Sequence, residues 1–192
     1  MRLKHFILAA VSAVTTTPAL AHTGMHPTSG FAAGFLHPVG GLDHMLAMVG
    51  VGLFAAALGR SALIALPGSF VLMMMAGGVI GTAGLDVPAV ELAIAASVVA
   101  MGAAVALGWS WPVSAAAMLV GFFALFHGYA HGAEIPSEAA SLPYGMGFAL
   151  TSAALHAIGI FLNRMVLGDG KATRALGTAI AIAGLMLAFG KS

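Results

Sequence analysis

The sequence predicts an all-α integral membrane protein in which a cleavable signal peptide precedes six transmembrane helices. Two observations support this fold class: 60% of the 192 residues are hydrophobic and only 7% are charged, whereas a soluble domain carries about 25% charged residues. The chain has no cysteine, which excludes thiolate metal sites and iron–sulfur clusters. Its formal net charge of +1 provides no basic surface for a phosphate backbone, so we expect no nucleic-acid partner.

The N-terminal residues have the three parts of a secretory signal peptide. Two basic residues precede an apolar run over residues 6–14, and Ala-Leu-Ala at 19–21 matches a signal-peptidase site. We therefore expect residues 1–21 to be removed, so that residues 22–192 form one six-helix transmembrane domain beginning at His22. An uncleaved first transmembrane helix is the alternative, which the shortness of the apolar run disfavours.

Six apolar runs follow, and each approaches or exceeds the ~20 residues that a helix needs to cross a bilayer. They cover residues 31–58, 62–85, 87–107, 112–130, 143–167 and 175–189. If the mature N-terminus lies outside, the inner segments contain the basic residues Arg60, Arg164, Lys171 and Arg174. This arrangement obeys the positive-inside rule and predicts that the mature N-terminus lies on the outer side of the membrane. Glycine pairs at 77/81 and 128/132 predict closely packed helices.

Histidine is unexpectedly frequent, with eight residues in a chain whose apolar runs make polar side chains costly. One cluster lies on the first run and the other at the end of the fourth; they consist of His37, Asp43, His44, His127, His131 and Glu134. At 1.5 Å per residue, His44 and His127 lie about 21 and 22 Å above the inner ends of their runs. The two clusters therefore share a depth below the outer surface of the hydrocarbon layer.

Spacing indicates how each cluster is arranged. His127 and His131 are four residues apart and Glu134 follows three residues later, so all three project from one stripe of a helix. In the first cluster, Pro38 and the Gly40-Gly41 pair predict a kink or an opening of the backbone. The sequence leaves the detailed geometry of that cluster open.

These residue types point to a divalent metal. Imidazole nitrogen and carboxylate oxygen, without cysteine sulfur, suit a borderline cation such as nickel, cobalt, zinc or copper. Asp43 is either a direct ligand or an acceptor that fixes histidine tautomers. Because the first and fourth runs contain no Lys or Arg, a metal ion or a proton is the expected counter-charge of Asp43.

Three further histidines are weaker candidates. His22 and His26 either capture metal at the start of the mature chain or are ordinary tail residues. His156 lies in the fifth run beside polar residues, so an interhelical hydrogen bond is favoured over a metal-binding role. The C-terminal stretch 184–192 superficially resembles a phosphate-binding loop. Its glycine spacing is wrong and no strand precedes it, so we expect no nucleotide.

Both clusters resemble the motifs of the HupE/UreJ family of small bacterial nickel permeases: H-x5-D-H over residues 37–44, and F-H-G-x-A-H-G-x-E over residues 126–134. The resemblance covers the whole chain. It implies a secondary permease or channel, not an enzyme, that brings nickel, or cobalt in some members, across the cytoplasmic membrane for hydrogenase or urease maturation. The motif residues then handle a transported ion, and no permanent cofactor is implied.

Two other functions remain as alternatives. An intramembrane metalloenzyme could use His127 and His131, but the chain lacks an H-E-x-x-H run. A haem-binding membrane subunit could use two axial histidines, and a Soret band would reveal it. The expected partners are a divalent metal ion and membrane lipid, and the sequence leaves the oligomeric state open.

Overall fold

The computed structural model describes residues 30–135, 141–167 and 170–190, so the predicted signal peptide, His22 and His26 lie outside the described residues. The described ranges are helical and contain no strand. The helices are α1 (Gly30–Gly40), α2 (Leu42–Leu58), α3 (Ala62–Thr82), α4 (Val90–Leu107), α5 (Val113–Ala133), α6 (Ser141–Phe161) and α7 (Gly170–Phe189), and a π-helical segment, Leu162–Leu167, continues α6.

Five of these helices, α3 to α7, are long and apolar enough to cross a membrane. The shortest, α4, has 18 residues, which at 1.5 Å each give about 27 Å, close to the thickness of the hydrocarbon layer. The pair α1 and α2 forms a sixth span if the two bent helices count as one. The described residues therefore support an all-helical membrane protein with five or six spans.

The first apolar run is two helices instead of one, because α1 and α2 meet at an angle of 83°. Gly41 at the junction has an extended backbone, with φ −112° and ψ 122°. A Cβ at this position would lie 2.8 Å from Asp43 Oδ1 and 3.1 Å from His44 Nδ1, so glycine leaves room for both side chains. The predicted kink is confirmed, and the expected run over 31–58 is corrected to two helices.

Helices α3 and α5 pack through the two glycine pairs that the sequence singled out. A Cβ on Gly77 would collide with the carbonyl of Leu125, and one on Gly128 would collide with the carbonyl of Met74. The missing side chains let the two backbones touch, as G-x-x-x-G spacings do in membranes. This contact sets the rotation of α5, the helix that carries His127 and His131.

Some helix boundaries differ from the apolar runs. Helix α5 continues through Ala133, so that His131 is helical and Glu134 is the first residue beyond it. Helix α7 begins at Gly170, before the predicted start at 175, and its first turn is polar. Helical hydrogen bonds do not require apolar side chains, so hydropathy alone misses such ends.

The two ends of the bundle differ in charge. Consecutive helices α2 to α7 run in alternating directions, which brings Arg60, Arg164, Lys171 and Arg174 to one end, called here the basic end. At that end Asn163 Nδ2 donates a hydrogen bond to Thr173 Oγ1 over 3.1 Å. The opposite end, called the histidine end, contains His131 and Glu134 where α5 finishes. The charge asymmetry expected from the sequence therefore follows the bundle axis.

Candidate metal site

Four imidazole rings form a continuous chain at the histidine end. Their centroids are 4.6 Å apart for His37 and His131, 4.4 Å for His131 and His44, and 4.8 Å for His44 and His127. The rings come from α1, α2 and α5, so only the tertiary fold brings them together. The residues that the sequence placed at a common depth are thus in mutual contact.

The site residues nearest the surface are His37, His131 and Glu134, called here the outer group. Each offers one ligand atom, and these atoms lie within 4.8 Å of one another. The Nε2 atom of His37 is 3.5 Å from Glu134 Oε2, and the two side chains are 35% and 59% exposed. His131 is buried. The outer group is therefore open to solvent at His37 and Glu134 and enclosed by protein at His131.

Glu134 lies just beyond the end of α5 and is charged at neutral pH. Hydrogen bonding to His37 is the main influence on the Glu134 carboxyl and lowers its pKa, while partial burial opposes this effect. Because a lowered pKa favours the ionised form, the carboxylate can attract a cation from solution.

Asp43, His44 and His127 form the inner group. Asp43 Oδ1 accepts a hydrogen bond from the backbone N–H of His44 over 2.8 Å and lies 2.6 Å from His44 Nδ1. A carboxylate can only accept, so His44 Nδ1 is the donor and Nε2 carries the lone pair. This pairing matches the carboxylate–histidine arrangement that orients metal-binding imidazoles.

Several buried imidazole nitrogens of these groups have no hydrogen-bond partner among the described residues. They are His44 Nε2, His127 Nδ1, His131 Nδ1 and His131 Nε2. Buried polar atoms are normally paired, and leaving one unpaired costs about 1–3 kcal/mol. Their concentration in one place makes this cluster the candidate ligand-binding site.

His156 lies deeper in the bundle and does not form the interhelical hydrogen bond that the sequence favoured. It is 1% exposed, and neither ring nitrogen has a partner among the described residues. Its neighbour on the same helix face, Ser152, instead donates to the carbonyl of Phe148 over 2.9 Å. That interpretation of His156 is therefore wrong, because the nearby hydroxyl bonds to its own helix.

Sequence reasoning missed Phe70, which contacts both His127 and His156. Its ring centroid is 5.7 Å from that of His127 and 4.9 Å from that of His156. Phe70 is buried in α3 and so links His156 to the inner group through ring contacts. An aromatic residue in an apolar helix carries no signal of such a position, because its role depends on the neighbours it meets.

Ser97 was missed as well. This residue of α4 places its hydroxyl oxygen 2.8 Å from His127 Nε2. A single serine within an apolar run gives no local indication of its partner, which lies on another helix.

Comparison with known proteins identifies the family of the chain. Residues 9–187 match the model of a family described as HupE / UreJ protein. Protein HupE from Rhizobium leguminosarum bv. viciae is 42% identical over 172 residues, which cover 88% of this chain and 90% of the relative. No solved structure matches the chain. The chain therefore belongs to the HupE/UreJ family.

Proposed function

We propose that this protein is a secondary permease or channel that carries a divalent transition-metal cation, nickel or cobalt, across the bacterial cytoplasmic membrane for hydrogenase or urease maturation. The observation that carries the proposal is the convergence of four imidazoles and two carboxylates at one end of an apolar bundle. Membership of the HupE/UreJ family, a transporter-type family, supports a transport function over an enzymatic one.

Charge balance favours a dication. Asp43 and Glu134 supply two negative charges, and the helices α1, α2 and α5 contain no Lys or Arg. Carboxylate charge in a membrane is costly, and one divalent cation would neutralise both carboxylates. The neutral imidazoles then supply nitrogen ligands, which nickel and cobalt accept readily.

The arrangement of the rings suggests a route with successive ligands. Glu134 and His37 meet the ion first because they are the most exposed members of the site. His131 contacts both His37 and His44, so the ion can exchange the outer ligands for the inner ones while His131 stays bound. Conduction requires such sequential binding, since a single tight site would trap the ion.

His156 is the next proposed ion-binding position, in contact with Phe70. Its two ring nitrogens are without partners among the residues described, and its ring packs against Phe70. The Phe70 ring contacts both His127 and His156, so we expect it to change rotamer when an ion passes from one to the other. This arrangement would separate the histidine end from the basic end.

The proposed orientation follows from charge. The positive-inside rule places the basic end in the cytoplasm, so the histidine end faces the periplasm, where the ion enters. Cleavage after residue 21 would leave a periplasmic N-terminus, with His22 and His26 as proposed capture positions. Lipid surrounds the apolar faces of the helices.

The test is metal uptake by the purified protein in proteoliposomes, measured with radioactive Ni²⁺ or with Co²⁺. We expect accumulation that requires the wild-type site and that a His131→Ala variant lacks. Failure of the correctly inserted wild-type protein to move either ion would contradict the proposal. A Soret band would favour the haem alternative, although the 4.4 Å separation of the His44 and His131 rings leaves no space for a porphyrin between them.

A further inference from the structure

Ser97 is buried in a helix that contributes no residue to the outer or the inner group. Its side chain is 1% exposed. Its hydroxyl oxygen lies 2.6 Å from the carbonyl oxygen of Ile94 and 2.8 Å from Nε2 of His127. The hydroxyl therefore connects the backbone of α4 with an imidazole of α5.

Counting protons shows the direction of both hydrogen bonds. A serine hydroxyl has one proton, and the Ile94 carbonyl can only accept. The shorter bond therefore uses that proton, and the hydroxyl oxygen is left as an acceptor for His127 Nε2. Nε2 must then be the N–H of a neutral imidazole, so Nδ1 of His127 carries the lone pair.

The opposite arrangement is unfavourable at the same atoms. If Ser97 donated to Nε2, the proton of the neutral ring would sit on Nδ1. That atom is buried and has no acceptor among the described residues, so an N–H there would be left unsatisfied. A protonated nitrogen would also be unable to bind a metal ion.

We propose that Ser97 is a positioning residue that holds His127 in the Nε2–H tautomer and thereby presents Nδ1 to the metal. This inference rests on the proposed metal-transport function. Asp43 orients His44 in the same way but selects the opposite tautomer: it accepts the Nδ1 proton, so that Nε2 of the neutral ring has no proton. The rings of His44 and His127 are 4.8 Å apart, and both bare nitrogens are buried. The inner group is therefore built from two imidazoles, each oriented by its own acceptor.

The first experiment reads the tautomer directly, by nitrogen-15 NMR of the full-length protein labelled at histidine and kept free of metal. A His127→Ala variant identifies the His127 signals. We expect the Nε2–H tautomer in the wild type and in Ser97→Thr, whose hydroxyl can make the same bonds. Ser97→Ala should give a mixture of tautomers. The Nδ1–H form in the wild type would overturn the proposal.

The second experiment measures Co²⁺ affinity and the absorption spectrum of bound Co²⁺. Loss of an orienting partner typically weakens metal binding 10–100-fold, so we expect that loss and an altered spectrum in Ser97→Ala, with recovery in Ser97→Thr. Ser69→Ala is the matched control, because Ser69 Oγ donates to the Ala117 carbonyl over 2.7 Å and thus also joins two helices. It should bind Co²⁺ as the wild type does.

The outcomes separate the two proposals. If His127→Ala abolishes Co²⁺ binding while Ser97→Ala behaves like Ser69→Ala, the role of Ser97 is refuted and the metal site stands. If His127→Ala binds Co²⁺ as the wild type does, His127 is no ligand and the proposed inner group fails. The tautomer measurement on the wild-type protein still tests the hydrogen bond itself, even if the Ser97 variants do not fold.

Discussion

The Asp43 carboxylate lies 2.6 Å from Nδ1 of His44, its neighbour in the chain. The two residues lie in the first turn of α2, which follows the extended Gly41, whose missing side chain leaves space for both. The break between α1 and α2 therefore does two things: it turns His37 toward α5 and it lets Asp43 orient His44. A break in an otherwise apolar run is thus part of the candidate metal site.

Asp43→Asn tests the charge of this pair with almost no change of shape. We expect nickel uptake to fall at least 10-fold, because the amide can still accept a hydrogen bond but no longer neutralises a cation. Uptake of radioactive nickel is measured alongside the amount of protein in the membrane fraction. Normal uptake at normal abundance would show that the negative charge of Asp43 is not needed.

The loss of uptake caused by a histidine substitution should depend on whether that histidine belongs to the contacting rings of the site. His44→Ala, His127→Ala and His131→Ala are each expected to abolish uptake, since each removes a ligand that no neighbouring group replaces. His156→Ala should reduce uptake less, because it lies beyond Phe70 and outside both groups. The measurement is the initial uptake rate per inserted protein. Equal rates in all four variants would contradict the ranking.

Glu134→Gln should produce an intermediate defect that is greatest at low metal concentration. This carboxylate is the most exposed member of the site, so its charge attracts the ion more than it retains it. We expect a higher apparent KM for uptake with a nearly unchanged maximal rate. Asp86→Asn is the matched control, because Asp86 is also exposed but lies outside both groups. A reduced maximal rate with unchanged KM would argue against this role.

Uptake should decrease as the external pH falls from 7.5 to 5. Imidazole binds metal only in its neutral form, and the unperturbed pKa of histidine is about 6.5. The pKa of Glu134 is lowered by His37, so this carboxylate stays ionised over the same range and does not cause the loss. Glu134→Gln should therefore still lose uptake as the pH falls, because the remaining histidines are unchanged. A flat profile would mean that uptake does not depend on any imidazole that gains a proton between pH 7.5 and 5.

Gly128→Ala should destabilise the bundle without removing any proposed ligand. Its Cβ would collide with the carbonyl of Met74, forcing α3 and α5 apart, and overpacking of this kind costs about 1–3 kcal/mol. We expect a lower Tm in detergent and less protein in the membrane. Gly145→Ala is the control, since a Cβ there meets nothing within 4 Å. Equal Tm values for the two variants would contradict the packing argument.

The sequence by itself determined the features that depend on neighbouring residues. Hydropathy indicated the spans, Pro38 and the Gly40-Gly41 pair indicated the break, and helical spacing placed His127 and His131 on one face of a helix. These predictions succeed because a lipid environment requires each helix to satisfy its own backbone hydrogen bonds, so local sequence decides helix formation.

Only the tertiary structure decided which residues meet. Three sets of contacts join different helices. His131 contacts both His37 and His44. Phe70 contacts two histidines, and Ser97 is hydrogen-bonded to His127. They depend on the rotation and depth of each helix, which close contacts such as that between Gly128 and Met74 set. Those contacts arise from packing between backbones distant in the sequence, and no local pattern encodes their partners.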